Sequence, residues 1–168
     1  MRNNFDACLK LVLESEGGFV DDVRDFGGIT NLGVTKRVWE EWTGHDADEA
    51  TMRGLSFDDV APLYRQKYWD RIKADDLPIG IDYCCFDFAV NGGVGRSAKI
   101  LQNAVQVKPD GSIGYDTIAA IKTADDLVNK FCDLRKQYYE SLPNFEYFGK
   151  GWLNRVEFTR QNALKMQR

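Results

Sequence analysis

The chain is poor in several features that enzymes and binding proteins often rely on. Its 168 residues include one histidine, four prolines and four cysteines. A Ser-His-Asp or Cys-His mechanism would therefore depend wholly on His45. That residue sits in the polar loop Thr43-Gly44-His45-Asp46-Ala47-Asp48, with no serine or cysteine motif around it. Cys8, Cys84, Cys85 and Cys132 have no pair at the short spacing of a zinc knuckle, and the helical phase of Cys8 and Cys84 marks them as buried small hydrophobes. Basic residues are not in excess: 22 Lys and Arg stand against 26 Asp and Glu, for a net charge of -4. That balance argues against a nucleic-acid partner, which usually needs a basic face. No apolar run approaches the roughly 20 residues of a membrane span, so no membrane insertion is expected. The start, Met1-Arg2-Asn3-Asn4-Phe5-Asp6, carries no secretory pattern and leads straight into an amphipathic segment. The expectation is synthesis in the cytoplasm, with any work elsewhere needing another route out. No linker rich in Pro, Gly or Ser divides the chain, and there is no internal repeat.

What is present is enough for one sizeable core, or for a catalytic domain with a small appendage. Hydrophobic residues are 43% and charged residues 29%, ordinary for a globular protein. The first organised stretch ends in Glu14-Ser15-Glu16-Gly17-Gly18. Counting back from Glu16, apolar residues fall at Leu13, Val12, Leu9, Cys8 and Phe5, one face of a helix. Glu16 thus leaves the helix on its buried face, directly before a Gly-Gly stop, while Glu14 lies on the polar face near Lys10. A carboxyl group against apolar neighbours at a helix end is a candidate general acid. The alternative is a snorkelling surface Glu in a frayed last turn.

Between Gly18 and Thr35 the helical period vanishes in favour of turn formers and β-branched residues. The pattern predicts a small two- or three-stranded excursion turning at Asp21-Asp22 and Gly27-Gly28. A short helix with Val38, Trp39 and Trp42 on one side should end at Gly44. Ser56 followed by Phe57-Asp58-Asp59 reads as an N-cap with acidic residues in the first turn, opening a helix with Val60, Leu63, Tyr64, Tyr68 and Ile72 inward. Leu77-Pro78 should open the next helix, with Pro78 in its first turn. Its residues Ile81, Cys84, Cys85, Phe88 and Ala89 make it the buried central helix, ending at Asn91-Gly92-Gly93. Further helices are expected over Ser97 to Val105, from Asp116, from Thr123 towards Ser141, and from about Gly151 onwards. The predicted architecture is mainly α with a small N-terminal β-hairpin or sheet. The best candidate boundary is at Gly92 to Gly95, giving a catalytic region 1-91 and a helical region 92-168 packed against it.

Acidic side chains in the excursion are the natural partners of Glu16. Asp25 follows it at an E-x8-D spacing, with Thr30 or Thr35 beyond the glycine turn. A helix-end acid followed by a hairpin carrying a second carboxylate is an arrangement that can straddle a glycosidic bond. One group protonates the leaving oxygen, while the other orients water or steadies positive charge at the anomeric carbon. Asp25 could equally cap the Gly27-Gly28 bend, and Asp21 and Asp22 compete with it. Aromatics supply flat faces for sugar rings. Trp39, Trp42, Tyr64, Tyr68 and Trp69 lie at helical spacings that also suit plain core packing. Tyr68 and Trp69 are adjacent on a helix, so one of them should be partly exposed.

These residues carry a family resemblance. Glu16-Gly17-Gly18-Phe19-Val20 and Asp25-Phe26-Gly27-Gly28-Ile29-Thr30-Asn31-Leu32-Gly33-Val34-Thr35 resemble the signature of the family 108 glycoside hydrolases. These are N-acetylmuramidases found as phage endolysins and as bacterial proteins that assist toxin or protein release. The resemblance continues through Tyr68-Trp69-Asp70, Asp87-Phe88-Ala89-Val90-Asn91-Gly92-Gly93 and Gln102-Asn103-Ala104. Asp110-Gly111-Ser112-Ile113-Gly114-Tyr115-Asp116-Thr117 and Gly151-Trp152-Leu153-Asn154-Arg155-Val156 resemble the second part of the same proteins, a predicted peptidoglycan-binding region. Tyr115 stands there where related proteins often carry proline.

The resemblance implies a lysozyme-like α+β fold and hydrolysis of the β-1,4 bond between N-acetylmuramic acid and N-acetylglucosamine in peptidoglycan. It places the catalytic glutamate at Glu16. The Glu-x8-Asp-x5-Thr pattern of phage lysozymes takes in Asp25, and its third position falls on Asn31, with Thr30 one residue before. The expected catalytic set is Glu16, Asp25 and Thr30. Asn31, Tyr68, Trp69, Asp87 and Asn91 are expected to contact substrate. No metal or organic cofactor is implied, and a monomer acting on the cell wall after release is expected. A phage endolysin is the favoured role. A bacterial muramidase for secretion, a chitinase and a non-catalytic wall-binding accessory protein are its competitors.

Overall fold

The computed structural model describes residues 4–16, 20–21 and 28–168, with backbone alone at 20–21. The described chain divides into two compact units: Phe5–Lys67, and Tyr68–Arg168 together with the described part of Met1–Asn4.

In the smaller unit, α1 runs Phe5–Glu16 and buries Phe5, Cys8, Leu9 and Val12, the stripe read from the sequence. It packs on α4 (Phe57–Tyr64). Strands β1 (Val20–Asp21), β2 (Ile29–Asn31) and β3 (Val34–Thr35) form an antiparallel sheet in the order β1-β2-β3. Thr30 pairs with Val20 on one side and Thr35 on the other. The turns expected at Asp21-Asp22 and Gly27-Gly28 involve residues outside the described set. A further turn, the two-residue Leu32-Gly33 link, joins β2 to β3. Both residues have positive φ, 49° and 72°, as a type I′ hairpin turn requires.

Helix α2 (Lys36–Thr43) begins on the Thr35 hydroxyl, which accepts from the Val38 N–H at 3.2 Å. It stops at Gly44, whose left-handed φ of 73° suits a residue without Cβ. A short α3 (Glu49–Arg53) follows. Ser56 caps α4 in a reciprocal capping box with Asp59. The helix expected to carry on through Ile72 changes after Tyr64 into a π-helical turn over Arg65–Trp69. Such a turn inserts one residue and rotates everything after it. The buried positions are therefore Trp69 and Ile72, while Tyr68 is half-buried.

The larger unit is built round α5 (Ile81–Gly92), in which every residue from Ile81 to Ala89 is buried. It packs against α6 (Val94–Ala104), α8 (Leu127–Glu140) and α9 (Phe145–Met166), with α7 (Tyr115–Ile121) between α6 and α8 in sequence. Pro78 stands before α5 rather than in its first turn, its carbonyl accepting from Ile81 and Asp82. Helix α9 begins at Phe145, earlier than Gly151, because its glycines fit the helix: a Cβ at Gly149 would strike the ring of Phe145. All four cysteines are buried, as expected for Cys8 and Cys84, and the sulfurs of Cys84 and Cys132 lie 4.0 Å apart.

Candidate active site

Glu16 is the last residue of α1 and is half-buried. Its neighbour is the Leu32-Gly33 turn. A Cβ added to Gly33 would lie 3.2 Å from Cβ of Glu16 and 3.4 Å from its Cγ. The same added atom would collide with the Tyr64 hydroxyl. That hydroxyl donates to the Leu32 carbonyl at 2.8 Å, tying the turn to the end of α4. Helix end, hairpin turn and tyrosine thus meet at the stem of the glutamate. Gly33 is needed twice over, for its φ and for the room it leaves. Neither Gly33 nor Tyr64 was singled out from the sequence as a site residue. The Tyr64 spacing reads as ordinary core, and the Gly27-Gly28 pair draws attention from the single glycine at 33.

Asp25, the expected second carboxylate, lies outside the described residues. Thr30 is half-buried in the central strand, on the face opposite Asn31 because side chains alternate along a strand. Asn31 is 7% exposed, and its Nδ2 donates to the carbonyls of Met52 at 2.9 Å and Arg53 at 3.4 Å. The amide clamps β2 to the end of α3.

Two further residues expected to contact substrate lie in the larger unit. Trp69 is buried, with its indole N–H on Asp75 at 2.8 Å and its ring edge-on to Phe86. It has no open face for a sugar, because the π-helical turn before it rotates it inward. Asp87 is fully buried between two guanidiniums, Arg135 Nη1 at 2.7 Å and Arg155 Nη2 at 2.9 Å, with the Thr159 hydroxyl at 3.2 Å. Burial opposes its ionisation, but Arg135 and Arg155 outweigh burial and hold its carboxyl below the usual carboxylate range. Asp87 is thus the anion of a structural charge cluster. Asn91, at the end of α5, is exposed and accepts a hydrogen bond from the Tyr139 hydroxyl. Burial pushes the Tyr139 phenol up, so it keeps the proton it donates.

An acid held at a helix end by a hairpin turn, with a strand threonine nearby in sequence, suits proton donation to a glycosidic oxygen. The model of the glycosyl hydrolase 108 family matches residues 9–93, which takes in Glu16 and the whole sheet. The chain belongs to the glycosyl hydrolase 108 family. A second family, described as a predicted peptidoglycan domain, matches residues 96–157 of this family 108 hydrolase. Among solved structures, that of Brucella abortus SagA is similar at 36% identity, covering 100% of this chain and 98% of that one, with a TM-score of 0.85. No curated protein matches. The family 108 hydrolase is accordingly a glycoside hydrolase of peptidoglycan with a mainly helical, lysozyme-like α+β fold. Among the described residues no helix is long and apolar enough to cross a membrane, and no group of side chains could hold a metal ion.

Proposed function

We propose that this family 108 hydrolase is an N-acetylmuramidase that cleaves the β-1,4 bond between N-acetylmuramic acid and N-acetylglucosamine. Glu16 is the general acid that protonates the leaving oxygen. Asp25 and Thr30 position or activate water, or steady the oxocarbenium-like charge. The observation that carries the reading is the packing of Gly33 against Cβ and Cγ of Glu16, with Tyr64 bonded to the turn. A surface glutamate in a frayed helix end has no need of such a support. Residues 1–91 form the catalytic region and residues 92–168 contact the wall, in keeping with the order of the two family matches.

The test is Glu16→Gln on purified peptidoglycan. General acid catalysis contributes about 10²–10⁴-fold, so the variant should lose activity on that scale while keeping its fold. Full activity in Glu16→Gln would remove the assignment. Mass spectrometry of the wild-type digest should show muropeptides ending in reducing N-acetylmuramic acid, whereas free stem peptides would mean an amidase. The biological role we favour is phage-driven lysis by a monomer made in the cytoplasm and released to the wall. A neighbouring holin gene would support that role, and a neighbouring toxin gene would replace it with assisted secretion.

A further inference from the structure

The catalytic reading leaves unused an aromatic surface in the larger unit, rooted in the buried Asp87 cluster. Arg135, itself fully buried and paired with Asp87, donates from Nε and Nη2 to the Tyr139 hydroxyl oxygen at 3.3 and 3.2 Å. With two donors on that oxygen, the Tyr139 proton is directed away from Arg135, and it goes to Oδ1 of Asn91. The amide orientation follows: its oxygen faces Tyr139 and its NH₂ faces the other way. Asn91 is exposed at the end of α5, and nothing among the described residues accepts from that NH₂. A buried ion pair thereby fixes the direction of a surface hydrogen-bond donor.

Beside this donor lies a run of rings. Tyr139 stacks on Trp152 with centroids 5.2 Å apart and planes 20° apart, and Trp152 meets Phe148 at 5.7 Å. Phe148 is one turn before Trp152 on α9, so the two share a face. It is 57% exposed, and the adjacent Tyr147 is 81% exposed. On the other side, Tyr138 carries the Arg96 guanidinium 4.9 Å from its ring centre. A flat apolar face next to a fixed N–H donor is the pairing that an N-acetylated hexosamine requires. The C–H face of the pyranose covers a ring, and the acetamido carbonyl takes the N–H. Phe148 and Trp152 both fall within the stretch matched as a predicted peptidoglycan domain.

We propose that Asn91, Trp152 and Phe148 form a subsite for an N-acetylated amino sugar of a glycan chain. Tyr139, Arg135 and Asp87 are positioning residues that aim the Asn91 amide. The proposal rests on the reading of the protein as a glycan-cleaving enzyme of the wall, but not on Glu16 being its acid.

The experiment follows the Asn91 side-chain amide and Trp152 indole NMR signals of the Glu16→Gln protein during titration. The titrants are soluble N-acetylglucosamine tetramer and its de-N-acetylated counterpart. Both signals should move with the acetylated sugar, at an affinity about tenfold above that of the de-acetylated one, the worth of one hydrogen bond. Asn91→Asp still accepts the Tyr139 proton but has no N–H to offer, so it should abolish that preference. Tyr139→Phe should weaken the preference while the ring stack keeps the sugar bound, an effect that mere structural support would not produce. Phe148→Ala, at an exposed position, should weaken both sugars alike. Unmoved signals, or an unchanged preference in folded Asn91→Asp, would overturn the subsite. So would signals that respond to anionic lipid vesicles or to protein dilution but not to sugar. Retained hydrolysis by Glu16→Gln would instead count against the catalytic assignment and leave this titration readable.

Discussion

Two acidic residues from the motif-bearing stretches, one in each unit, have opposite surroundings. Glu16 stands half-buried at the end of α1, supported by a glycine turn and a tyrosine hydroxyl. Asp87 lies in the middle of α5, sealed from water and bonded to two arginines and a threonine. A carboxylate whose acceptor sites are filled by buried cations can neither give a proton to a substrate nor meet one. A half-buried carboxylate at a helix end, within reach of solvent, can do both. Membership of a motif therefore does not separate an accessible acid from a structural one, whereas the surroundings do.

The sharpest way to break this comparison is to neutralise each acid without changing its shape. Glu16→Gln should cost the activity described above and leave the melting curve in place. Asp87→Asn should do the reverse. It leaves two guanidiniums facing a neutral amide inside the unit, and breaking a buried pair in this way costs about 3–5 kcal/mol. Chemical denaturation should show that loss, while kcat per folded molecule stays near wild type. If Asp87→Asn were as stable as wild type but inactive, Asp87 would have to be returned to the site.

Gly33→Ala tests the support of Glu16 with a smaller effect. A left-handed φ costs an alanine about 1–2 kcal/mol, and the new Cβ would collide with the Tyr64 hydroxyl and press on the Glu16 stem. Gly44→Ala is the matched control. Its φ of 73° is nearly that of Gly33, but nothing lies within 4 Å of an added Cβ. Both variants should lose similar stability from the backbone strain, Gly33→Ala should lose more because of the collision, and only Gly33→Ala should also lose kcat. Equal activity in the two would show that the turn does not position the acid.

The difference between the units also explains how much was legible in the chain. That Glu16 is half-buried while Glu14 is exposed is legible because the evidence is local: one helical stripe and one glycine stop. The Ser56 cap, the Gly44 stop and the burial of α5 were legible for the same reason. The charge cluster of Asp87 is not legible because its partners, Arg135 and Arg155, come from α8 and α9, and no local pattern announces a pairing across the core. Which of Tyr68 and Trp69 turns inward is not legible because a π-helical turn shifts the helical phase by one residue, and the sequence keeps the same i, i+4 spacing through it. The Leu32-Gly33 turn was passed over because a leucine at positive φ is uncommon, so a propensity reading favours Gly27-Gly28. The start of α9 was placed late because Gly149 and Gly151 count as helix breakers until the Phe145 ring is seen filling the space beside Gly149.

The smallest effect, in pH, sharpens the comparison within α5 itself, where two buried aspartates shift in opposite directions. Burial raises Asp82, and hydrogen bonds from Asn4 and from the backbone of Tyr83 and Gly80 only partly offset it. Asp87 is lowered, because Arg135 and Arg155 overcome its burial. An unfolded aspartate titrates near ~3.9. The stability that Asp87 contributes is present above that value and is lost as pH falls through its lower folded pKa. The contribution of Asp82 has the opposite sign: it is fully present below ~3.9 and is lost as pH rises through its higher folded pKa. Acidification from neutrality should therefore first raise the unfolding free energy slightly, as Asp82 takes up its proton, and then lower it steeply below about pH 4 as Asp87 does. Asp82→Asn should remove the shallow rise and keep the steep fall. Asp87→Asn, less stable throughout, should keep the rise and flatten the fall. Denaturant titrations at half-unit pH steps would read both slopes. A fall that survived unchanged in Asp87→Asn would assign the acid sensitivity to some other carboxylate and remove Asp87 from the centre of the larger unit's electrostatics.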